Sequence, residues 1–343
     1  MGGAELLLNN TLKLLPDHQH IVVYLFPKAD IESNFELPNT ELICLQHKGW
    51  RSLFSSARKL KKIIKKRKPL LVHSHLFYAT ICSRLAVPSS VPLISTLHSL
   101  YSMDAFQKNK KALWAEKLTL KKRHKLIGVT KYVLEDYLKL VPFRGEKFVL
   151  NNFLPGSFFE FNQPKLSSIQ RDLRCVAIGN LKEVKNYDYL LGIFLNLKNK
   201  GITLDIYGEG THKKALQGKI DKYDLPVTLR GIIRETKPLF KNYDLFIQAS
   251  LHEGFGLSVI EAMASGLPVF ISDIPVFHEI TNDFAHFFPL NDSLKAATLL
   301  GDLKESKKER EQHIEEGYRY CLRMYNEKTY KNKLIEIYDH ILS

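Results

Sequence analysis

The stretch "DLFIQASLHEGFGLSVIEAMASG" (residues 244–266) decides the fold of this chain. Its first part, "DLFIQAS", is short, apolar and β-rich. Its last part, "LSVIEAMASG", is patterned as a helix and stops at Gly266. Only the turn "LHEGFG" separates them. A strand that feeds a helix through so tight a turn belongs to a parallel α/β sheet. Such a turn sits at the carboxyl end of its strand, where open α/β sheets bind their ligands. Gly254 and Gly256 allow backbone N–H groups to come close to a phosphate, and the start of the helix adds favourable positive potential.

Two glutamates eight positions apart, Glu253 and Glu261, flank that turn. A carboxylate repels phosphate, and its natural partner is a pair of hydroxyls whose protons it accepts. Diol, phosphates, diol is the order of groups in a nucleoside diphosphate sugar. In that reading Glu261 holds the ribose and Glu253 holds hydroxyls of the second sugar. Gly256, Leu257 and Ser258 offer backbone or hydroxyl donors.

Outward from this unit, short β-rich runs alternate with amphipathic helical stretches along the whole chain, as parallel α/β layers require. The expected strands are "HIVVYLF", "ELICL", "LLVHSH", "PLISTLH", "KLIGVT" and "KFVL" in the first half. In the second half they are "RCVAIGN", "ITLDIYG", "VTLRG", "DLFIQAS" and "PVFIS". Between the two series, "NNFLPGSFFEFNQPKLSSIQ" reads as a linker because of its prolines, glycine and polar residues. The expected domains are therefore 1–152 and 153–324. The tail helix 325–343 presents Tyr330, Leu334, Ile337, Tyr338 and Ile341 on one face and is expected to complete the first domain. The chain opens with "MGGAELLLNNTLKLL", a Gly-Gly turn that enters a helix at once. A doubly wound domain opens with a central strand, so the first domain is expected to lack one.

The 343 residues suffice for two cores, with charged and apolar fractions ordinary for a soluble protein. Cys44, Cys82, Cys175 and Cys321 are far apart with no CxxC pair, which points to reduced thiols and a cytoplasmic setting. Neither a secretion leader nor a membrane span is expected. The net charge of +14 is lopsided: residues 1–150 carry 25 Lys and Arg against 11 Asp and Glu, and the rest balance. In "RSLFSSARKLKKIIKKRK", Leu53, Phe54, Ala57, Leu60, Ile63 and Ile64 mark an apolar helical face with lysines on the other side. Such a surface is either simply solvated or faces anionic lipid at the inner side of a membrane. No nucleic-acid-binding motif accompanies it, so nucleic acid is not an expected partner.

Three other motifs lie at expected strand ends. In "AIGNLKEVKN", Gly179 ends a strand, and Lys185 with Asn186 opens the next helix. In "IYGEGTHKK", Gly208 and Gly210 suggest a dinucleotide fingerprint, but Lys213 stands where the third glycine belongs, so the pair reads as a tight turn. His98 ends "PLISTLH", while His73 and His75 alternate on one strand face with no acid near in sequence. No Asp-x-Asp occurs, and no His/Cys/Asp cluster has metal-ligand spacing, so no metal and no bound cofactor are expected.

In this order the motifs resemble retaining GT-B glycosyltransferases of family 4. "EGFGLSVIE" followed by "AMASGLPVFISD" is similar to the family's donor-site signature. "GGAE", "LLVHSH", "TLH", "IGNLKEVKN" and "IYGEG" also follow in family order, so the resemblance spans nearly the whole chain. It implies two Rossmann-like domains facing across a cleft, with a UDP- or GDP-sugar on the second domain. A saccharide or polyprenyl-linked acceptor would lie on the first, in bacterial cell-surface polysaccharide synthesis. It further implies that Gly179, Asn180, Lys185, Asn186 and the turn from Glu253 through Gly254, Phe255, Gly256, Leu257 and Ser258 to Glu261 hold the donor. Glu253, Lys185 and His98 would serve catalysis, and Gly2, Gly3 and His98 would face the acceptor. Family members place an arginine after the first-motif glycine; Asn180 stands there instead and brings no charge. A catalytically silent nucleotide-sugar-binding subunit and an epimerase sharing the architecture are the alternative readings.

Overall fold

The computed structural model describes residues 3–27, 37, 39–103, 109–159, 172–233 and 235–343. The chain divides into two compact units: Met1–Phe153 with Glu327–Ser343, and Leu154–Asn326.

In the first unit, β1 (His20–Tyr24) and β2 (Thr40–Cys44) form a parallel pair. β3 (Val72–His75), β4 (Leu93–Leu97), β5 (Lys125–Gly128) and β6 (Lys147–Val149) form a separate parallel sheet in that order. Among the described residues no strand joins the two sheets, and all five residues of β1 and of β2 are only half-buried.

The Leu53–Arg67 helix buries Leu53, Ala57, Leu60 and Ile64, spaced for one helical face, against Phe77, Ile81 and Ala86 of the Phe77–Ala86 helix. Phe54 departs from the expected apolar face and is 70% exposed. It sits one residue, roughly 100° of turn, from Leu53 and so falls beyond the edge of the stripe. The Glu327–Leu342 helix packs Tyr330, Leu334 and Ile337 into the cluster formed by Leu7, Leu15, Ile94, Ile127, Leu150 and Phe153. Ser and Thr seldom sit free in such a core, and Thr11 Oγ1 lies 3.1 Å from the Tyr330 hydroxyl.

The second unit is one six-stranded parallel sheet. Its strands are β7 (Leu173–Ile178), β8 (Ile202–Tyr207), β9 (Val227–Gly231), β10 (Leu245–Gln248), β11 (Val269–Ser272) and β12 (His286–Phe288). Their spatial order is β12-β11-β10-β7-β8-β9. Every residue of β10 and β11 is buried, as expected for central strands covered by helices on both faces. β12 was not expected from the sequence, since three residues carry too little pattern to separate a strand from a loop. The chain runs outward from β7 through β8 to β9, then returns to place β10 on the other side of β7. The switch point therefore lies between β7 and β10, and their carboxyl ends carry "GNLKEVKN" and "SLHEGFG".

Candidate active site

Across this switch point Lys185 and Glu253 meet. Lys185 closes the 3-10 turn Glu183–Lys185 after β7, and its Nζ lies 2.5 Å from Glu253 Oε1. Neither side chain is far exposed, so the pair is screened less than a surface ion pair. Gly179 lies close beneath it. A Cβ there would come within 3.1 Å of Lys185 Cε and 3.2 Å of the Tyr187 hydroxyl. The Gly179 carbonyl accepts a hydrogen bond from Tyr187 at 3.0 Å. Asn186 takes the left-handed conformation (φ +50°) that opens the Tyr187–Asn196 helix, a backbone state asparagine tolerates better than most residues. Asn180 is exposed.

The expected turn function of Gly208 and Gly210 has a direct steric cause. A Cβ on Gly208 would lie 1.9 Å from the Gly179 carbonyl oxygen, and one on Gly210 would lie 2.4 Å from that of Leu181. These glycines let the β8 loop pack against the backbone that carries Lys185.

The Glu253 carboxylate is held from inside as well. Its Oε1 accepts from Gln248 Nε2 at 2.8 Å and from Ser250 Oγ at 2.7 Å. The turn then reaches Gly256, which is left-handed (φ +85°, ψ 51°) and caps the Leu257–Ala264 helix. A side chain there would also strike the Phe277 ring at 2.9 Å, so both conformation and space demand glycine. Phe255 points inward: it is buried, with its ring 5.4 Å from that of Tyr325 at 88°. Only its backbone is left to face a ligand. The Ser258 hydroxyl is bonded to Gln248 Oε1 at 2.8 Å.

Glu261 lies on the same helix, largely enclosed. Burial pushes its carboxyl up to about 7, against the opposing effect of a hydrogen bond donated by Thr236 Oγ1 to Oε2 at 3.0 Å. A carboxylate left with one neutral donor in a poorly solvated place is ready to accept further hydroxyl protons.

In the first unit His98, just past β4, joins a histidine cluster. His98 Nε2 and His75 Nδ1 are 2.9 Å apart. The His75 ring stacks on His73 at 4.3 Å. His73 is fixed by the Tyr338 hydroxyl and by Thr96 Oγ1, both at 2.7 Å. Burial lowers all three, His73 to about 3 and His98 to about 4, so the rings are neutral at pH 7. A neutral His75–His98 pair shares one ring proton in its hydrogen bond, which fixes the tautomers relative to each other. Leu76, next along, has φ +67° and ψ 158°, a region nearly reserved for glycine, and strain of this kind concentrates at functional sites. Gly3 opens the Gly3–Lys13 helix, and Gly2 lies outside the described residues.

The sequence singled out Lys185, Glu253, Glu261 and His98 as candidates. It missed Gln248, Ser250, Thr236 and the pairing of His75 with His98. Gln248 left one signal, an amide ending an otherwise apolar strand. Among the described residues, no three His, Cys, Asp or Glu side chains are grouped to hold a metal ion.

Two family models cover the chain: "Glycosyltransferase Family 4" matches residues 1–151 and "Glycosyl transferases group 1" matches residues 158–320. The chain belongs to the GT-B glycosyltransferases. Over 124 residues it is 37% identical to the GtfA subunit of a UDP-N-acetylglucosamine–peptide N-acetylglucosaminyltransferase from Streptococcus parasanguinis, covering 35% of this chain and 24% of the relative. Over 151 residues it is 29% identical to the O-antigen chain mannosyltransferase RfbU of Salmonella typhimurium, covering 39% and 43%. The matched regions thus span less than half of either relative. HepE from Anabaena, solved with UDP and glucose, superposes with a TM-score of 0.81 at 17% identity, covering 99% of this glycosyltransferase and 96% of HepE. That likeness is one of fold.

Proposed function

We propose that this glycosyltransferase moves a sugar from a nucleotide donor to a saccharide or lipid-linked saccharide with retention of configuration, in bacterial cell-surface polysaccharide synthesis. The observation that carries the reading is the convergence of Lys185 and Glu253 at the β7/β10 switch point, beside a glycine turn that ends in Glu261.

In this reading a UDP- or GDP-sugar lies on the second unit. Glu261 accepts the ribose hydroxyl protons, Lys185 turns from Glu253 to the diphosphate, and Glu253 holds hydroxyls of the sugar. The bond between C1 and the phosphate oxygen breaks, and the nucleoside diphosphate departs with the electron pair. The acceptor oxygen bonds to C1 from the same face, and its proton leaves to the diphosphate or to water. Lys185, turn amides and the start of the Leu257–Ala264 helix stabilise the leaving charge without a metal. Asn180 contributes a neutral hydrogen bond. The acceptor lies on the first unit, with His98 at the reacting hydroxyl.

A place on the inner surface of an anionic membrane fits a lipid-linked acceptor. The Leu53–Arg67 helix turns Arg58, Lys61, Lys62, Lys65 and Lys66 to solvent. Among the described residues no helix is long and apolar enough to cross a membrane.

The test is a thermal-shift panel of UDP- and GDP-sugars, followed by an assay of donor hydrolysis without acceptor. A ligand at many times its dissociation constant raises stability by about 3 kcal/mol, a visible shift. Stabilisation by a nucleotide sugar with turnover supports the enzyme. Binding without any turnover favours a silent subunit, and no binding across the panel refutes the donor site.

A further inference from the structure

We propose that Gln248 is a positioning residue for Glu253, holding that carboxylate in one orientation while Lys185 changes partner; the inference rests on the second unit being the donor site. Gln248 ends the fully buried strand β10 and is itself only 4% exposed, so its amide must find partners inside the protein. Nε2 donates to Ser250 Oγ at 2.9 Å and to Glu253 Oε1 at 2.8 Å, while Oε1 accepts from Ser258 Oγ at 2.8 Å. The carboxylate fixes which way the amide points. Turned over, the amide would set its carbonyl oxygen against Glu253 Oε1, acceptor against acceptor.

The consequence lies at the level of single oxygens. Lys185 Nζ, Gln248 Nε2 and Ser250 Oγ all converge on Glu253 Oε1. None of the three reaches Oε2, which is left to receive sugar hydroxyls. When a diphosphate draws Lys185 away, Oε1 loses its charged partner. Gln248 and Ser250 are rooted in β10 and in the turn, and they keep Oε1 where it was. Without them the carboxylate follows Lys185 and Oε2 no longer faces the sugar. Gln248 is also tied through Ser258 to the first turn of the Leu257–Ala264 helix, so strand, turn and helix hold one geometry.

The test uses the full chain, with Gln248→Met to keep volume and remove the amide, and Ser250→Ala as an independent variant that removes the second neutral donor. UDP and GDP affinities are measured by calorimetry. Turnover is measured with the nucleotide sugar that the wild type hydrolyses or transfers, and with monodeoxy analogues of that sugar. For each variant the expected result is nucleotide affinity within about twofold of wild type and kcat lower by roughly tenfold or more. The loss shrinks with the analogue lacking the hydroxyl that Glu253 holds, since that analogue gains nothing from an aimed carboxylate. A purely structural Gln248 would lower the melting temperature and leave kcat per folded molecule unchanged, which overturns the proposal. Equal losses for the parent donor and all its analogues overturn it too, as does nucleotide affinity falling in step with kcat. A wild type that turns over no nucleotide sugar would instead overturn the donor reading on which the inference stands.

Discussion

Replacing Glu261 with glutamine should stabilise the protein and weaken nucleotide binding at once. Burial raises this carboxyl from its ordinary 4.5 to about 7, so between those values the folded protein holds a proton that the unfolded chain has released. The sign follows. The native state is favoured by protonation, its stability is unaffected well below pH 4.5, and stability is lost as pH rises toward 7 and stays lost above it. A shift of this size corresponds to about 3 kcal/mol at pH 8 and to about 1 kcal/mol or less at pH 5. Glutamine keeps an acceptor for Thr236 Oγ1 and cannot ionise, so it removes this cost. Melting temperatures of wild type and Glu261→Gln, measured at pH 5 and pH 8, should diverge in favour of the variant at the higher pH. Calorimetry with UDP and GDP at pH 8 should show the opposite trend for binding. Loss of charged hydrogen bonds to a diol costs about 1.5–3 kcal/mol, roughly ten- to a hundredfold in affinity. Wild-type affinity should also rise with pH through 7, while that of the variant stays flat. A variant no more stable than wild type at pH 8 would refute the buried charge. Unchanged nucleotide affinity would refute the ribose contact.

Glu253→Gln should leave UDP or GDP affinity nearly unchanged and lower turnover at least tenfold, because its proposed contact is with the sugar. Parallel losses of nucleotide binding and turnover would assign it a different role. Asn180→Arg should be tolerated and raise turnover by completing the charged pair with Lys185, and a severe drop in a folded variant would show that the site depends on the amide. Gly256→Ala should destabilise by about 1–3 kcal/mol, since it forces a side chain into φ +85° and toward Phe277; an unchanged melting temperature counts against that strain. Binding to anionic but not neutral vesicles should appear at low salt and vanish at high salt, with about 1 kcal/mol from each basic side chain near the surface. Equal, negligible binding to both vesicle types would remove the membrane from the proposal.

What the sequence made legible follows from where the physics is local. The strand–turn–helix unit 244–266 announced itself because three local demands agree. β10 is apolar throughout except for its last residue, Gly256 must be left-handed, and Gly266, just past the end of the helix, lies in the same left-handed region (φ +71°). Lys185 and Glu253 could each be picked from a motif, but their contact depends on the strand order, in which β10 returns beside β7 after two strands have been laid on the other side. No spacing within either motif encodes that return. His73, His75 and His98 show the same boundary from the other side. His98 was expected on the acceptor side, whereas His73 and His75, with no acid near in sequence, gave no sign of a partner. The parallel register that sets His75 beside Thr96 brings His75 and the following His98 within hydrogen-bond reach, and the partners of His73 turn out to be hydroxyls, one of them on the last helix of the chain. Gln248 was harder still, because a buried amide and an exposed one look the same in a sequence. Its meaning depends on a carboxylate five residues on, a hydroxyl ten residues on, and a lysine that reaches the same carboxylate oxygen from the turn after β7. Sites of this kind become readable only when the sheet has put their parts side by side, and in this second unit it does so at the one point where the winding reverses.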